Sequence, residues 1–498
     1  MALAAIFTIY LWLRFSWIRT IEFGYDQPKL LTSIVQMIGR RDFANAEAYV
    51  DINPYGAHSY GPWLLYLLTP AVALTDNPVA LSLGMALFNL AGVYLIFLAG
   101  KEMFGEVTGV LAAFFLTVNP WHVIFSRMVY QPSPLPVFVA LLLLAAERAV
   151  RGSKFWAIAV LPVAVAGWQV HSIFLPLAVV IAVYVLLRGP RNRVVKPLMA
   201  GGFLAIIFIL PTVWYDLGHN WETVRRYLTS PLYRQSAPTT ARVENVTKSF
   251  LQTAAGNNLK WQLGYGTRSF NQGTEGWVSL TEYSLVWWTA ACLVLLVLLP
   301  DTRKESALLL LAIAAVPLFL VLVPLPDLVP RYIYPIIPLT SLSWGAVLSS
   351  LGAALGRWGK TLFLTGATVL IGAAMITNVR HYFSFVERYN YPDGMLSHFS
   401  DVPYSFAENS LGWALKEAKL SGACSVTISS DYDHPKENRL NWAQFYILNY
   451  ENVDKGPWCQ IGTEAHFVAA FKPVTSGINP GKAVSFGPYI VYRVGDTL

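Results

Sequence analysis

The chain has 498 residues, of which 55% are hydrophobic and only 13% are charged. A soluble domain carries about a quarter charged residues, so this composition excludes an ordinary soluble globular protein. The formal net charge is +7. The basic residues lie in short segments between apolar runs rather than on one face, which argues against nucleic-acid binding.

The apolar runs predict a mainly α-helical, polytopic membrane bundle of about eleven spans. The first run is apolar apart from Arg14 and has no small-residue cleavage site, so we expect a retained span rather than a cleaved signal peptide. The predicted spans are 2–19, 79–99, 107–119, 133–147, 155–167, 169–187, 198–214, 283–299, 307–324, 332–351 and 361–379.

The connecting segments differ between the two predicted sides of the membrane. One side receives only short, basic loops, which the positive-inside rule assigns to the cytoplasm. The other side receives the long segments, notably 20–78, 215–282 and the tail from 380 onward. Elaborate loops on one side predict that recognition or chemistry takes place there. The basic residues of the short loops are Lys101, Arg148, Arg151, Lys154, Arg188, Arg191, Arg193, Lys196, Arg303, Lys304, Arg357 and Lys360.

Two stretches of the first outer loop have apolar residues at helical spacing. Residues 28–41 place Pro28 in the first turn and Gly39 at the expected stop. This stretch is too short to span a bilayer, so we expect it to lie flat at the interface. Residues 61–76 show a similar pattern.

The region 385–498 predicts a small α/β domain on the outer side. Its pieces alternate between helix-like and strand-like patterns: 404–420, 424–430, 441–450, 465–471 and 489–494. Cys424 and Cys459 fall in this region and could pair in an oxidising compartment. Cys292 lies inside an apolar run, where a buried core position is expected.

Asp26 is the first candidate catalytic residue. It lies just after the first span and immediately before the interfacial helix. A helix N-cap would account for an aspartate here, because its carboxylate accepts hydrogen bonds from free amides. A partly desolvated carboxylate can also act as a general base that deprotonates a hydroxyl. The two roles are compatible.

The order of these features resembles the C-type polytopic membrane glycosyltransferases, in particular the protein O-mannosyltransferases and aminoarabinose transferases. The segment 330–342 (PRYIYPIIPLTSL) is similar to that family's Arg-Tyr-x-x-Pro-x-x-Pro element. The run 104–127 (FGEVTGVLAAFFLTVNPWHVIFSR) is similar to its small-residue span ending in an aromatic-Ser-Arg group. The resemblance covers about the first 380 residues.

The resemblance implies inverting transfer of a sugar from a polyprenyl-phosphate donor to a protein, lipid or glycan acceptor, with Asp26 as the base. Three departures limit what carries over. Asp26 is followed by Gln27 rather than Glu, and 128–132 lacks the second acid of many members. The stretch 58–62 only loosely echoes the family's His-Pro-Pro. No metal-ligand spacing is present, so a divalent cofactor stays open.

Arg127 and Arg331 are the candidate donor phosphate ligands, since a guanidinium matches phosphate oxygens bidentately. Arginines at outer span ends also anchor proteins to headgroups, and that alternative stays open. Lys29 and His58 are secondary candidates for the same phosphate. The candidate residues of a substrate groove are Tyr25, Gln131, Gln169, His171 and Tyr332.

Two other functions are compatible with a polytopic chain. A transporter or flippase of lipid-linked sugar is one, although no matching halves with interrupted spans are visible. A non-catalytic membrane scaffold is the other, and it would bind no phosphate lipid.

The charge pattern predicts the orientation of the chain. Cysteines introduced singly beside Arg148, Arg191 and Arg303 should react with an impermeant reagent from one side of the membrane only. Cysteines beside Asp26 and within 385–498 should react from the other side only. Labelling of the Asp26 and Arg191 positions from the same side would contradict the topology.

Overall fold

The computed structural model describes residues 1–21, 26–50, 60–75, 77–229, 239–257, 259, 275–299, 303–323, 330–388, 404–430, 460–471, 483–486 and 489–493. These residues form two compact units. The first unit contains the described parts of Met1–Ser16, Met37–Leu259 and Gly273–Arg380. The second contains those of Trp17–Gln36 and His381–Leu498.

The helices are mostly apolar and follow one another with short connections. In chain order they are α1 (Ala2–Phe15), α2 (Asp26–Arg40), α3 (Pro62–Leu74), α4 (Pro78–Phe104), α5 (Glu106–Val118), α6 (Pro120–Phe125), α7 (Leu135–Val150), α8 (Lys154–Val170), α9 (Leu175–Arg188), α10 (Arg191–Gly218), α11 (Glu222–Thr229), α12 (Thr240–Ala254), α13 (Glu275–Val297), α14 (Arg303–Leu322), α15 (Ile337–Ala353), α16 (Arg357–Arg388) and α17 (Tyr404–Leu420).

The predicted helical membrane bundle is confirmed, because a helix lies on every predicted span. Five of the described helical segments are long and apolar enough to cross a bilayer by themselves, and several apolar helices are shorter. Among the five, the segment Tyr334–Ala353 is 78% buried, against 22–50% for the others. Helix α15 therefore lies in the core of the bundle, as does α7, most of whose residues are buried. Cys292 is fully buried in α13, as expected.

Some predicted boundaries differ from the structure. The first helix ends at Phe15, well before residue 19. Helix α2 passes through Gly39 and ends at Arg40, so Gly39 is not the stop. The turn comes instead at Arg41, whose φ of 52° is left-handed. A glycine is tolerated inside a helix, and its presence alone does not fix where the helix ends.

The second unit contains α17 and a four-stranded sheet. The strands are β1 (Ala423–Ser430), β2 (Gln460–Phe471), β3 (Ala483–Phe486) and β4 (Tyr489–Arg493). Their order is β1-β2-β4-β3, with β1 and β2 parallel and the other two pairs antiparallel. Helix α17 packs on this sheet through Trp413, whose ring meets Phe467 edge-on at 5.9 Å. The predicted α/β composition is confirmed; residues 441–450 and Cys459 lie outside the described residues.

Helices α4, α5 and α15 approach closely through glycines. A Cβ placed on Gly100 would lie 2.9 Å from the Cα of Gly109, and one on Gly345 would lie 2.8 Å from the Thr108 carbonyl oxygen. Small residues at such positions let helix backbones meet, which is a main source of association inside membranes. This packing holds α15 against α5. The polar turns described below lie just after α5 and just before α15.

We expect Gly100→Ala to destabilise the bundle by about 1–3 kcal/mol, because the added methyl group overpacks the α4–α5 contact. Gly84→Ala is the matched control in the same helix, since nothing lies within 4 Å of its Cβ position. Helix propensity alone would make that control up to about 1 kcal/mol more stable. Thermal unfolding in detergent measures both. Equal midpoints for the two variants would show that the glycine contact does not matter.

Candidate functional site

The turn after α5 is buried rather than exposed. Helix α5 stops where Asn119 becomes extended, and the Asn119 side chain accepts hydrogen bonds from the amides of Trp121 (3.0 Å) and His122 (3.3 Å). Pro120 occupies the first turn of α6, where its missing amide costs nothing. Every residue from Pro120 to Phe138 is buried. The aromatic residues of this turn are therefore enclosed by other parts of the chain.

The residues just after α12 cover this turn. The Trp121 indole nitrogen donates to the carbonyl oxygen of Asn257 at 2.7 Å. The side-chain amide of Asn378 in α16 donates to the Asn257 side chain at 3.4 Å. Gly256 has φ of +76°, and a Cβ there would lie 2.6 Å from Pro120. The predicted outer loop 215–282 therefore covers the α5–α6 turn through the residues that follow α12.

The segment before α15 carries Arg331. Two short 3₁₀ helices, Pro330–Tyr332 and Tyr334–Ile336, lead into α15. The Arg331 guanidinium donates a hydrogen bond to the Tyr130 hydroxyl. Its central carbon also lies 5.3 Å from the ring centroid of Tyr332. The Arg-Tyr element and the turn after α6 therefore meet, although they lie far apart in sequence.

The junction of α8 and α9 joins the same group. The ring of His171 meets Tyr332 edge-on at 6.1 Å, and Arg331 is close enough to interact electrostatically with this imidazole. His171 Nδ1 accepts a hydrogen bond from the Ile173 amide at 3.2 Å, which makes Nδ1 the unprotonated nitrogen. We call Tyr130, His171, Arg331 and Tyr332 the Arg331 cluster.

Gln169 lies two residues before His171 and is held by the loop before α3. The Gly61 amide donates to the Gln169 carbonyl oxygen at 2.6 Å. A Cβ on Gly61 would lie only 1.8 Å from the Gln169 side-chain oxygen, so a larger residue here would require the Gln169 side chain to move. The loosely matched His-Pro-Pro region thus ends in a glycine that packs against Gln169.

The predicted site residues fall into three groups. Arg331, Tyr332 and His171 are in direct contact within the Arg331 cluster. Arg127, Gln131 and Gln169 are buried in the same unit, on the turns that carry the cluster. Asp26 and Lys29 belong to the second unit, where Asp26 begins α2. Tyr25 and His58 lie outside the described residues.

The structure also shows a group of polar residues that sequence reasoning missed. Arg14 is fully buried at the end of α1, with its guanidinium carbon 3.8 Å from the ring centroid of Tyr10. Its Nε donates to the Ser126 hydroxyl at 3.0 Å and its Nη1 to the Thr117 carbonyl oxygen. A charged residue inside an apolar span is itself a signal of function, and that signal was present in the sequence.

His122 and Tyr334 complete this second group. His122 Nδ1 and the Tyr334 hydroxyl are hydrogen-bonded at 2.9 Å. Burial, reinforced by the nearby charge of Arg14, lowers the pKa of His122 well below its ordinary range, so the imidazole is neutral. We call Tyr10, Arg14, His122, Ser126 and Tyr334 the Arg14 cluster.

The charged side chains in contact within the two clusters are arginines, Arg14 and Arg331. In the part of the chain that the structure describes, no three His, Cys, Asp or Glu side chains are grouped so as to hold a metal ion. Arginines beside aromatic hydroxyls can bind an anion such as a phosphate through charge-assisted hydrogen bonds.

Known proteins resemble this chain in one segment of its sequence and in its fold. Residues 59–215 match the family model of the dolichyl-phosphate-mannose-protein mannosyltransferases. The crystal structure of ArnT from Cupriavidus metallidurans bound to undecaprenyl phosphate has a TM-score of 0.60 at 12% identity, covering 99% of this chain and 97% of that one. The apo ArnT structure from the same organism has a TM-score of 0.59 at 10% identity and the same coverage. The curated proteins include no significant sequence match.

The matched segment and the fold agree with the resemblance that the sequence indicates. The chain is a multi-pass membrane protein with an ArnT-like fold. The match of residues 59–215 to a mannosyltransferase family model supports a glycosyltransferase over the transporter and scaffold alternatives.

Proposed function

We propose that the chain transfers a sugar from a polyprenyl-phosphate donor to an acceptor at the outer face of the membrane, with inversion at the anomeric carbon. The observation that carries this proposal is the contact between the Arg331 element and the α6 turn, which gathers cationic and aromatic groups inside a C-type bundle. The similarity to an ArnT structure bound to undecaprenyl phosphate supports a lipid-phosphate donor. The acceptor is a protein, a lipid or a glycan.

The reaction needs one base and one anion-binding group. The acceptor hydroxyl gives its proton to the Asp26 carboxylate as its oxygen attacks C1 of the sugar. The C1–O bond to the lipid phosphate breaks, and its electron pair stays on the phosphate oxygen. A phosphodiester anion thereby becomes a phosphate monoester with one more negative charge. Cations placed where this charge develops stabilise the transition state more than the bound donor.

In this proposal Arg127 and Arg331 bind the phosphate, with Lys29 and His58 as further ligands. The aromatic and amide side chains of Tyr25, Gln131, Gln169, His171 and Tyr332 line the substrate groove. The region 385–498 is an extracytoplasmic domain that could contact the acceptor. A divalent cation is not required by this scheme, although a metal could assist the same phosphate.

Arg331→Ala should weaken donor binding. Loss of charge-assisted hydrogen bonds worth about 1.5–3 kcal/mol corresponds to an affinity about 10- to 100-fold lower. Titration of the purified protein with undecaprenyl phosphate measures this directly. Arg357→Ala is the control, because Arg357 is an exposed arginine in a predicted cytoplasmic loop. Unchanged affinity in the Arg331 variant would remove Arg331 from the proposed clamp.

Asp26→Asn should abolish turnover without preventing folding. The amide is nearly isosteric and can still accept a hydrogen bond, but it cannot take a proton, which typically costs about 10²–10⁴-fold in rate. Asp26→Ala would also remove a helix-end acceptor at about 1 kcal/mol, so Asn is the cleaner change. Purified protein, a panel of polyprenyl-phosphate sugars and mass spectrometry of acceptors give the assay.

Glu106→Gln is the matched control for Asp26→Asn, because this glutamate side chain is 72% exposed on a predicted cytoplasmic loop. Full activity in a folded Asp26→Asn protein would exclude Asp26 as the base. The next carboxylates to test are then Asp42, Glu47 and Asp51. Glu47 is buried and accepts a hydrogen bond from Thr212 at 2.7 Å, so it would be the first of these.

A further inference from the structure

Arg14 is a buried cation that the proposed reaction does not use directly. Its side chain is 0% exposed, and none of the salt bridges in the described part of the chain involves it. Its Nη2 has no hydrogen-bond partner among the described residues. Burying a guanidinium without an acidic partner costs several kcal/mol. A purely structural role therefore does not explain why an arginine occupies this position.

Two of the neighbours of Arg14 lie close in sequence to the two proposed phosphate ligands. Ser126, which accepts from Arg14 Nε, is directly followed by Arg127. Tyr334, which interacts electrostatically with Arg14, lies three residues after Arg331. The Arg14 cluster therefore touches the chain beside both arginines.

Direct contacts join the two segments within this cluster. His122 of α6 is hydrogen-bonded to Tyr334. Phe125 meets the ring of Tyr334 edge-on at 4.8 Å and that of Tyr130 at 6.1 Å. Because Tyr130 accepts the hydrogen bond of Arg331, a shift of α6 would be transmitted to both proposed phosphate ligands.

We propose that Arg14 is a positioning residue for the donor phosphate site: it holds the Ser126 end of α6 against α1 and so fixes Arg127 relative to Arg331. This inference rests on the proposed function, because it assumes that these two arginines bind the phosphate. It makes Arg14 a residue that acts through others. Its planar fork, directed at a hydroxyl and a carbonyl at once, provides this geometry, whereas an ammonium cannot.

The test compares undecaprenyl phosphate affinity across variants of the purified full-length chain. We expect Arg14→Met and Arg14→Lys each to bind about tenfold more weakly than wild type. Thr8→Ala is the control, because Thr8 is an exposed residue of the same helix that bonds only to its own helix backbone. The thermal midpoint of Arg14→Met should stay close to that of Thr8→Ala, because the loss of two hydrogen bonds is offset by the removal of a buried charge.

A double-mutant cycle separates positioning from independent effects. If Arg14 acts by positioning Arg127, the double variant Arg14→Met, Arg127→Met should bind no more than about twofold more weakly than Arg127→Met alone. Ser126→Ala removes the acceptor of Arg14 Nε and leaves the charge in place, so it should also weaken binding. If Arg14→Met does not fold, Ser126→Ala still tests the inference, because it removes the same hydrogen bond.

Three results would overturn the inference while leaving the proposed function intact: wild-type affinity in Arg14→Met, additive losses in the cycle, or wild-type affinity in Arg14→Lys. The last would show that the charge of Arg14 matters and its geometry does not. Failure of the wild-type chain to bind undecaprenyl phosphate is a different result, because it contradicts the proposed function itself and removes the basis of the inference.

Discussion

The absence of water inside a bilayer is the constraint on which this structure depends. Every backbone amide and carbonyl in a span must find a protein partner, so the apolar stretches are helical and irregular backbone is tolerated only where other chain covers it. The turn after α5 meets this constraint in a particular way. Asn119 caps α6, α12 covers Trp121, and the segment before α15 receives the polar groups that remain. The polar side chains of the candidate site therefore lie in the irregular segments between the helices.

The close glycine contacts among α4, α5 and α15 bring these irregular segments together. Because α15 lies against α5, the backbone just before α15 is brought next to the backbone just after α5. Arg331 then reaches Tyr130, and Tyr334 reaches His122, across more than 200 residues of sequence. The small residues of the run 104–127 and its terminal Ser-Arg pair are thus parts of one arrangement. Packing in the span determines where the arginine-bearing turns meet.

Sequence reasoning predicted the features that depend on composition and periodicity. Hydropathy located the spans, and the pattern of 404–420 located α17. It failed where the outcome depends on distant partners. Gly39 did not end α2, because the residue that adopts left-handed φ is Arg41. Arg14 drew no interpretation, because its role depends on Ser126 and Thr117, which no local pattern connects to it. The candidates Arg127 and Arg331 came from family motifs. Gln169 and His171 came from polar positions at a span end. The contacts of Arg331 with Tyr130 and of Gln169 with Gly61 needed the fold.

The energetics of buried arginines explain why such a site suits a phosphate leaving group. A cation inside the bundle is costly in the free protein, and aromatic rings such as Tyr10 and Tyr332 offset only part of that cost. An anion that binds beside these cations removes more of it. In the proposed reaction the anion gains a further negative charge as the sugar leaves, so the stabilisation grows toward the transition state. Cations that are held in place before the donor binds need little reorganisation when the transition state forms, so little free energy is lost. The rigidity of the α6 turn is therefore as much a part of the proposed chemistry as the charge of the arginines.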